Sequence, residues 1–225
     1  MKTFLLTTAL ATIGFIPAAD AATAWTIWTS GTTGNTAGSA VGALGGVGVT
    51  YSGENQCLNC YASDWSPAST WEGGPVTSAP PDNSGIQLFG SFGATDTITF
   101  SSSVTNPVLA IVSLGQGGVT ASFNFTADEP FTLLGGGPSS AWGGSALTSS
   151  GFVVSGTEGN GLVEFLGTFN SITWTNPTFE NYYAFTVGTA AATPEPATWA
   201  MMIAGFAGLG FAGFRASRKR TALAA

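Results

Sequence analysis

Apolar and polar positions alternate with a period of two along much of this 225-residue chain, and the alternation is sharpest after Gly85. Ile98 and Phe100 alternate with Thr97 and Thr99, while Val119, Ala121, Phe123 and Phe125 alternate with Thr120, Ser122 and Asn124. A segment of this kind presents one strand face to a core and the other to water. Val108-Leu109-Ala110-Ile111-Val112 is apolar without a break, as expected of a strand covered on both faces, and Pro107 precedes it where no donor is needed. Strands are predicted over Trp25–Trp28, Val47–Ser52, Ile86–Phe92, Thr95–Ser101, Val108–Leu114, Val119–Phe125 and Phe131–Leu134. They continue over Gly151–Ser155, Leu162–Phe169, Ile172–Thr175 and Tyr182–Val187.

Asn106-Pro107 and Gly115-Gln116-Gly117-Gly118 supply turns between these runs. Gly31–Gly46 and Gly135–Ser150 are rich in small residues and read as loops, and Gly53–Ser84 reads as a long irregular excursion. The body carries no useful helical period. The fold class is therefore all-β, an antiparallel sandwich or jelly roll over residues 22–188.

Both chain ends break the pattern. Met1-Lys2 and the apolar run Phe4–Pro17 precede Ala19-Asp20-Ala21, which reads as a signal peptide over residues 1–21 with an A-x-A cleavage site; Ala22-Thr23-Ala24 is a second candidate. At the other end, residues 189–225 form a small-residue linker and a tail. Its Pro194-Glu195-Pro196 leads into an uncharged run from Ala197 to Phe214. As a helix that run is about 27 Å long, just enough to cross a hydrocarbon core. Arg215, Arg218, Lys219 and Arg220 follow and should stay cytoplasmic, leaving the body on the far side of the membrane.

Pro194-Glu195-Pro196-Ala197-Thr198-Trp199-Ala200, the run through Gly205 and the basic end together resemble the PEP-CTERM sorting tail in its PEPxxWA form. The resemblance covers about the last 30 residues. It implies an exopolysaccharide-producing Gram-negative bacterium and processing of the tail by a membrane exosortase. An ice-binding label is sometimes attached to the same tail; the threonines of the body are not periodic along the chain and give it no support.

Composition narrows the body further. All five Lys and Arg lie in the two end segments, so residues 22–193 hold ten acids and no Lys, Arg or His. Phosphate and nucleic-acid partners need cationic side chains and are disfavoured. Histidine-dependent triads and His-ligated metals are excluded outright. No cofactor or metal is expected, although carboxylates in the excursion could serve Ca²⁺.

Cys57-Leu58-Asn59-Cys60 lacks a helix start and further metal ligands, so the reading is a local disulfide between Cys57 and Cys60. Asp128-Glu129, and the looser set Glu54, Asp64, Glu72 and Asp82, keep a glycosidase with paired carboxylates as a weak alternative. Trp174 reads as core. Trp142 could also stack on a sugar ring, but Trp65 and Trp71, in the aperiodic excursion, are the better candidates for exposed contacts. The expectation is a non-catalytic surface or matrix protein, with a carbohydrate-binding module for exopolysaccharide as the alternative.

Overall fold

The structure is a computed structural model and describes residues 23–60, 64–190 and 203–211. The body, Ala22–Ala191, is one compact unit. In chain order its strands are β1 (Ala24–Trp25), β2 (Ile27–Thr32), β3 (Gly34–Leu44), β4 (Val47–Asn55), β5 (Cys57–Leu58), β6 (Ile86–Leu88), β7 (Asp96–Thr105) and β8 (Pro107–Leu114). Then come β9 (Ala121–Phe125), β10 (Phe131–Leu134), β11 (Ser145–Ala146), β12 (Thr148–Ser150), β13 (Val153–Gly156), β14 (Gly159–Phe165), β15 (Thr168–Thr175) and β16 (Tyr183–Thr189). The first sheet runs β10-β14-β8-β16-β6-β5, with β1 on β16 and β11 on β14; the second runs β12-β13-β9-β15-β7-β4-β3-β2. Every pairing is antiparallel except the short one between β11 and β14.

The two sheets face each other across an aromatic core. Tyr51 and Trp174 of the second sheet meet Phe185 of the first with ring centroids 5.3 and 5.1 Å apart, both edge to face. Phe123 packs on Tyr183 in the same way at 5.8 Å. Edge-to-face contacts place the positive ring edge on a negative ring face. Leu109, Ile111, Phe165, Ile98 and Val49 complete this core.

A second apolar cluster lies on the other face of the first sheet. Val108, Ala110 and Val112 of β8 and Leu162 of β14 pack there against Trp65, Trp71 and Val76. The whole of β8 is consequently buried, as its unbroken apolar sequence required. The cover comes from the excursion. It turns through one short 3-10 helix at Ala68–Trp71 and buries Trp71 completely.

Two expected loops contain strands. The stretch Gly31–Gly46 holds β3, whose glycines are demanded by contact: a Cβ on Gly42 would lie 2.6 Å from the Ile27 carbonyl oxygen and 2.8 Å from Thr26 Cγ2. Small residues that signal a turn in sequence here permit close strand approach. Within Gly135–Ser150 lie the short β11 and β12. The expected strand Ile86–Phe92 stops at Leu88, because the next two N–H groups, of Phe89 and Gly90, leave the ladder for the Glu54 carboxylate at 2.7 and 2.8 Å.

Residues 203–211 are helical, inside the tail helix expected over about 197–214. Nine residues rise about 13.5 Å, and no helix of the described residues is long and apolar enough to cross a membrane. The expected signal peptide lies outside the described residues, as do Pro194, Glu195, Pro196, Trp199, Ala200, Arg215, Arg218, Lys219 and Arg220.

Candidate functional site

A body without cations must house its acids some other way. Six of its ten carboxylates, those of Glu54, Asp64, Asp96, Glu129, Glu164 and Glu180, are buried. Hydrogen-bond donors of the fold take the place of counterions for most of them. Glu54 accepts from Phe89 and Gly90 as above and from Gln56 Nε2 at 2.8 Å. Asp96 Oδ1 accepts the Tyr51 hydroxyl at 2.6 Å and the Glu54 N–H at 2.8 Å. Burial raises the Asp96 pKa to about 6; the Tyr51 and Glu54 donors pull it down and the Glu54 charge adds a smaller upward push. Gly53 makes room for it, since a Cβ there would sit 2.8 Å from Asp96 Cα. Glu129, beside Asp128 in the turn after β9, accepts the Thr173 N–H at 2.8 Å. These acids pin strands and turns together.

One of the buried carboxylates, Asp64, borders a surface pocket. Asp64 receives the Tyr182 hydroxyl on Oδ2 and the Trp142 indole N–H on Oδ1, the latter at 3.3 Å. The Trp142 ring stacks on Tyr182 with centroids 4.6 Å apart and planes 24° from parallel, while remaining 37% exposed. Burial raises the Asp64 pKa, and the two donors lower it in part. A shallow pocket beside this group is lined by Asp64, Tyr182, Asn59, Gln87, Cys57 and Cys60. The two cysteines are joined as a disulfide. The result is an aromatic ledge with a carboxylate, amides and carbonyls at its edge, a combination suited to a sugar ring's apolar face and hydroxyl rim.

Trp65 and Trp71 are not part of that ledge, contrary to the expectation of exposed contacts. Both are buried, packed edge to face at 5.4 Å. Their N–H groups are spent internally, on the Ser84 carbonyl at 2.7 Å and the Ile111 carbonyl at 3.2 Å. The excursion has no period because it packs as an irregular cover, and its large aromatics are what make it adhere. Trp142, which sits in a glycine- and serine-rich segment, carries the exposed role instead. Trp174 is core, as expected.

The second sheet's outer face is another surface that the one-dimensional pattern concealed. Ser30, Val41, Thr50, Thr99 and Ser171 stand side by side on five neighbouring strands, and Thr32, Ser39, Ser52, Thr97 and Thr173 form the adjacent row. Threonines irregular along the chain thus fall into register across strands, on a face with no charged side chain in either row.

Chemically, then, the body is a β-sandwich with an uncharged hydroxyl face on one side and a covered sheet on the other. The tail attached to it is of a known kind. Residues 192–219 match the family model of the PEP-CTERM protein-sorting motif, which includes every proposed motif residue except Arg220. The chain therefore carries the sorting signal of an exported, exosortase-processed protein. No curated protein and no solved structure matches the chain.

Proposed function

We propose that this chain is a non-catalytic surface or extracellular-matrix protein, held briefly as an inner-membrane precursor and released or transferred by an exosortase. The observation that carries the reading is the sorting motif over residues 192–219, joined to a body whose buried acids serve the fold. Paired-carboxylate hydrolysis draws little support, because Glu54, Asp64, Asp96 and Glu129 each act as acceptors for backbone or aromatic donors.

Intact-mass spectrometry of membrane, surface and medium fractions tests it. The expected species begins at Ala22 and ends near Pro194, in the surface or medium fraction. Cleavage after Ala21 rather than Ala24 is expected because Thr23 already belongs to the fold: its hydroxyl accepts the Thr77 N–H at 2.8 Å, and β1 starts at Ala24. A full-length tail confined to the membrane fraction would overturn the sorting reading.

The stacked Trp142–Tyr182 pair beside Asp64 favours a second reading, binding of the producer's own exopolysaccharide. Affinity electrophoresis through that polysaccharide should retard the wild type and lose most of the retardation on Trp142→Ala. Equal retardation of both proteins would remove the ledge from consideration.

A further inference from the structure

Glu180 is a buried acid that the donor network leaves out. It is fully buried, and neither carboxylate oxygen has a hydrogen-bond partner. The Gly115 N–H acts on the carboxylate without completing a hydrogen bond. A bare carboxylate at this depth is strongly disfavoured. Elsewhere the remedy would be a lysine or arginine, and between residues 22 and 193 there is none. Only a proton or a cation from outside can neutralise it. Glu158 lies close enough for its charge to act against that of Glu180.

The surroundings favour the cation. β8 and β14 lose register between Gly159 and Gly161, a bulge that places Ser113 in the left-handed region at φ 57°. The Asn160 side chain fixes it, with Oδ1 accepting the Ser113 N–H at 2.8 Å. So re-aimed, Ser113 donates its hydroxyl to Glu158 Oε2 at 2.7 Å. Glu158 is itself held at φ 55° and Gly115 at φ 80°, an unusual density of left-handed backbone. On the other side, Asn181 Nδ2 donates to Gln116 Oε1 at 2.9 Å and draws the segment carrying Glu180 to the same turn. Two carboxylates from distant parts of the chain thus converge on Ser113–Gly115. A buried protonated carboxyl would normally spend its O–H on an acceptor, and neither Glu180 oxygen makes a hydrogen bond. A cation takes up both oxygens together.

We propose that Glu180 and Glu158, with the Ser113 hydroxyl oxygen, hold a Ca²⁺ ion at the β8 bulge. The donors are all hard oxygens: the chain has no histidine, and both cysteines are committed to the disulfide. Two carboxylates match the charge of one divalent ion. Ca²⁺ accepts carbonyls and irregular geometry, whereas Mg²⁺ demands a near-octahedral shell and gives up water reluctantly. No three of His, Cys, Asp and Glu gather as a metal-holding group among the described residues. The remaining ligands would be carbonyls and water, and the affinity should fall in the weak range of extracellular modules, about 10⁻⁴–10⁻³ M.

The test uses the full-length chain in mild detergent, stripped with a chelator at pH 8. Calorimetric titration with CaCl₂ should show one site of roughly that affinity, and saturating Ca²⁺ should raise the melting temperature by several degrees, with MgCl₂ far less effective. Glu180→Gln should abolish the response to Ca²⁺. Glu158→Gln, at a residue only partly buried, should weaken binding at least tenfold. A wild type that neither binds Ca²⁺ nor gains thermal stability would overturn the proposal and leave Glu180 a protonated acid. An unchanged Ca²⁺ affinity in either variant would overturn it equally.

Discussion

At the residue scale, the body replaces ion pairing with dipoles. Carboxylates that would face Lys or Arg in another protein face backbone N–H groups, phenols and an indole. Such donors satisfy lone pairs without supplying full charge, so they offset only part of the burial that raises the pKa of Asp64, Asp96 and Glu129. Asp96 shows the consequence. Its folded-state pKa of about 6 lies above the ordinary value of 3.8, so between those values the native state binds more protons than the unfolded chain. Stability must then fall as pH rises from about 4 to about 6, by roughly 3 kcal/mol for a shift of that size. Urea denaturation in chelator at pH 4.5, 6 and 8 should show this decline, and Asp96→Asn should reduce it, leaving the share that Asp64, Glu129 and Glu164 contribute through their own raised pKa values. A wild type more stable at pH 6 than at pH 4.5 would contradict the assignment. None of this was legible from the acids themselves, because which side of a strand Asp96 or Glu54 faces depends on Gly53 and on the register of β4 with β7.

At the scale of elements, what the sequence declares and what it hides follow from one cause. Strands with large alternating side chains, such as β7 and β9, announce themselves, and so does the doubly covered β8. β3 does not, because glycine, alanine and serine have little apolar contrast to alternate. Its legibility was lost to the small size that lets β2 and β4 close on it. Gly42→Ala should therefore cost about 1–3 kcal/mol, as overpacking does. Urea midpoints would measure it, with Gly45→Ala as a poor comparator because its φ of 59° adds strain of its own; Gly46→Ala, in open space, is the clean control. Equal midpoints for the Gly42 and Gly46 variants would show that β2 can give way. The excursion was opaque for another reason. An irregular cover follows the contour of the sheet beneath it, so Trp65 and Trp71 carry no period, and exposure was the wrong inference from its absence.

At the scale of the whole molecule, the sandwich was legible and the placement of its surfaces was not. The tail identified the export route from a few contiguous residues, since a signal read by an enzyme has to be local in sequence. The Trp142 ledge and the hydroxyl rows are assembled from segments far apart in the chain, and only the pairing of strands brings them together.

The strand nearest the tail has a mechanical consequence. β16 lies inside the first sheet, bonded to β8 along one side from Ala184 to Thr189, and to β6, β1 and the Thr26 N–H along the other. Trp25 closes over Gly188, where a Cβ would come within 2.5 Å of the ring. A load entering at Thr189 would run parallel to the strand and strain both ladders together, instead of peeling bonds singly from an edge. Force spectroscopy with the handle on the tail should record one high-force rupture, whereas a handle on β2, an edge strand, should yield at lower force. Were the chain held by its tail end, the load would fall on the strand whose bonds must break together.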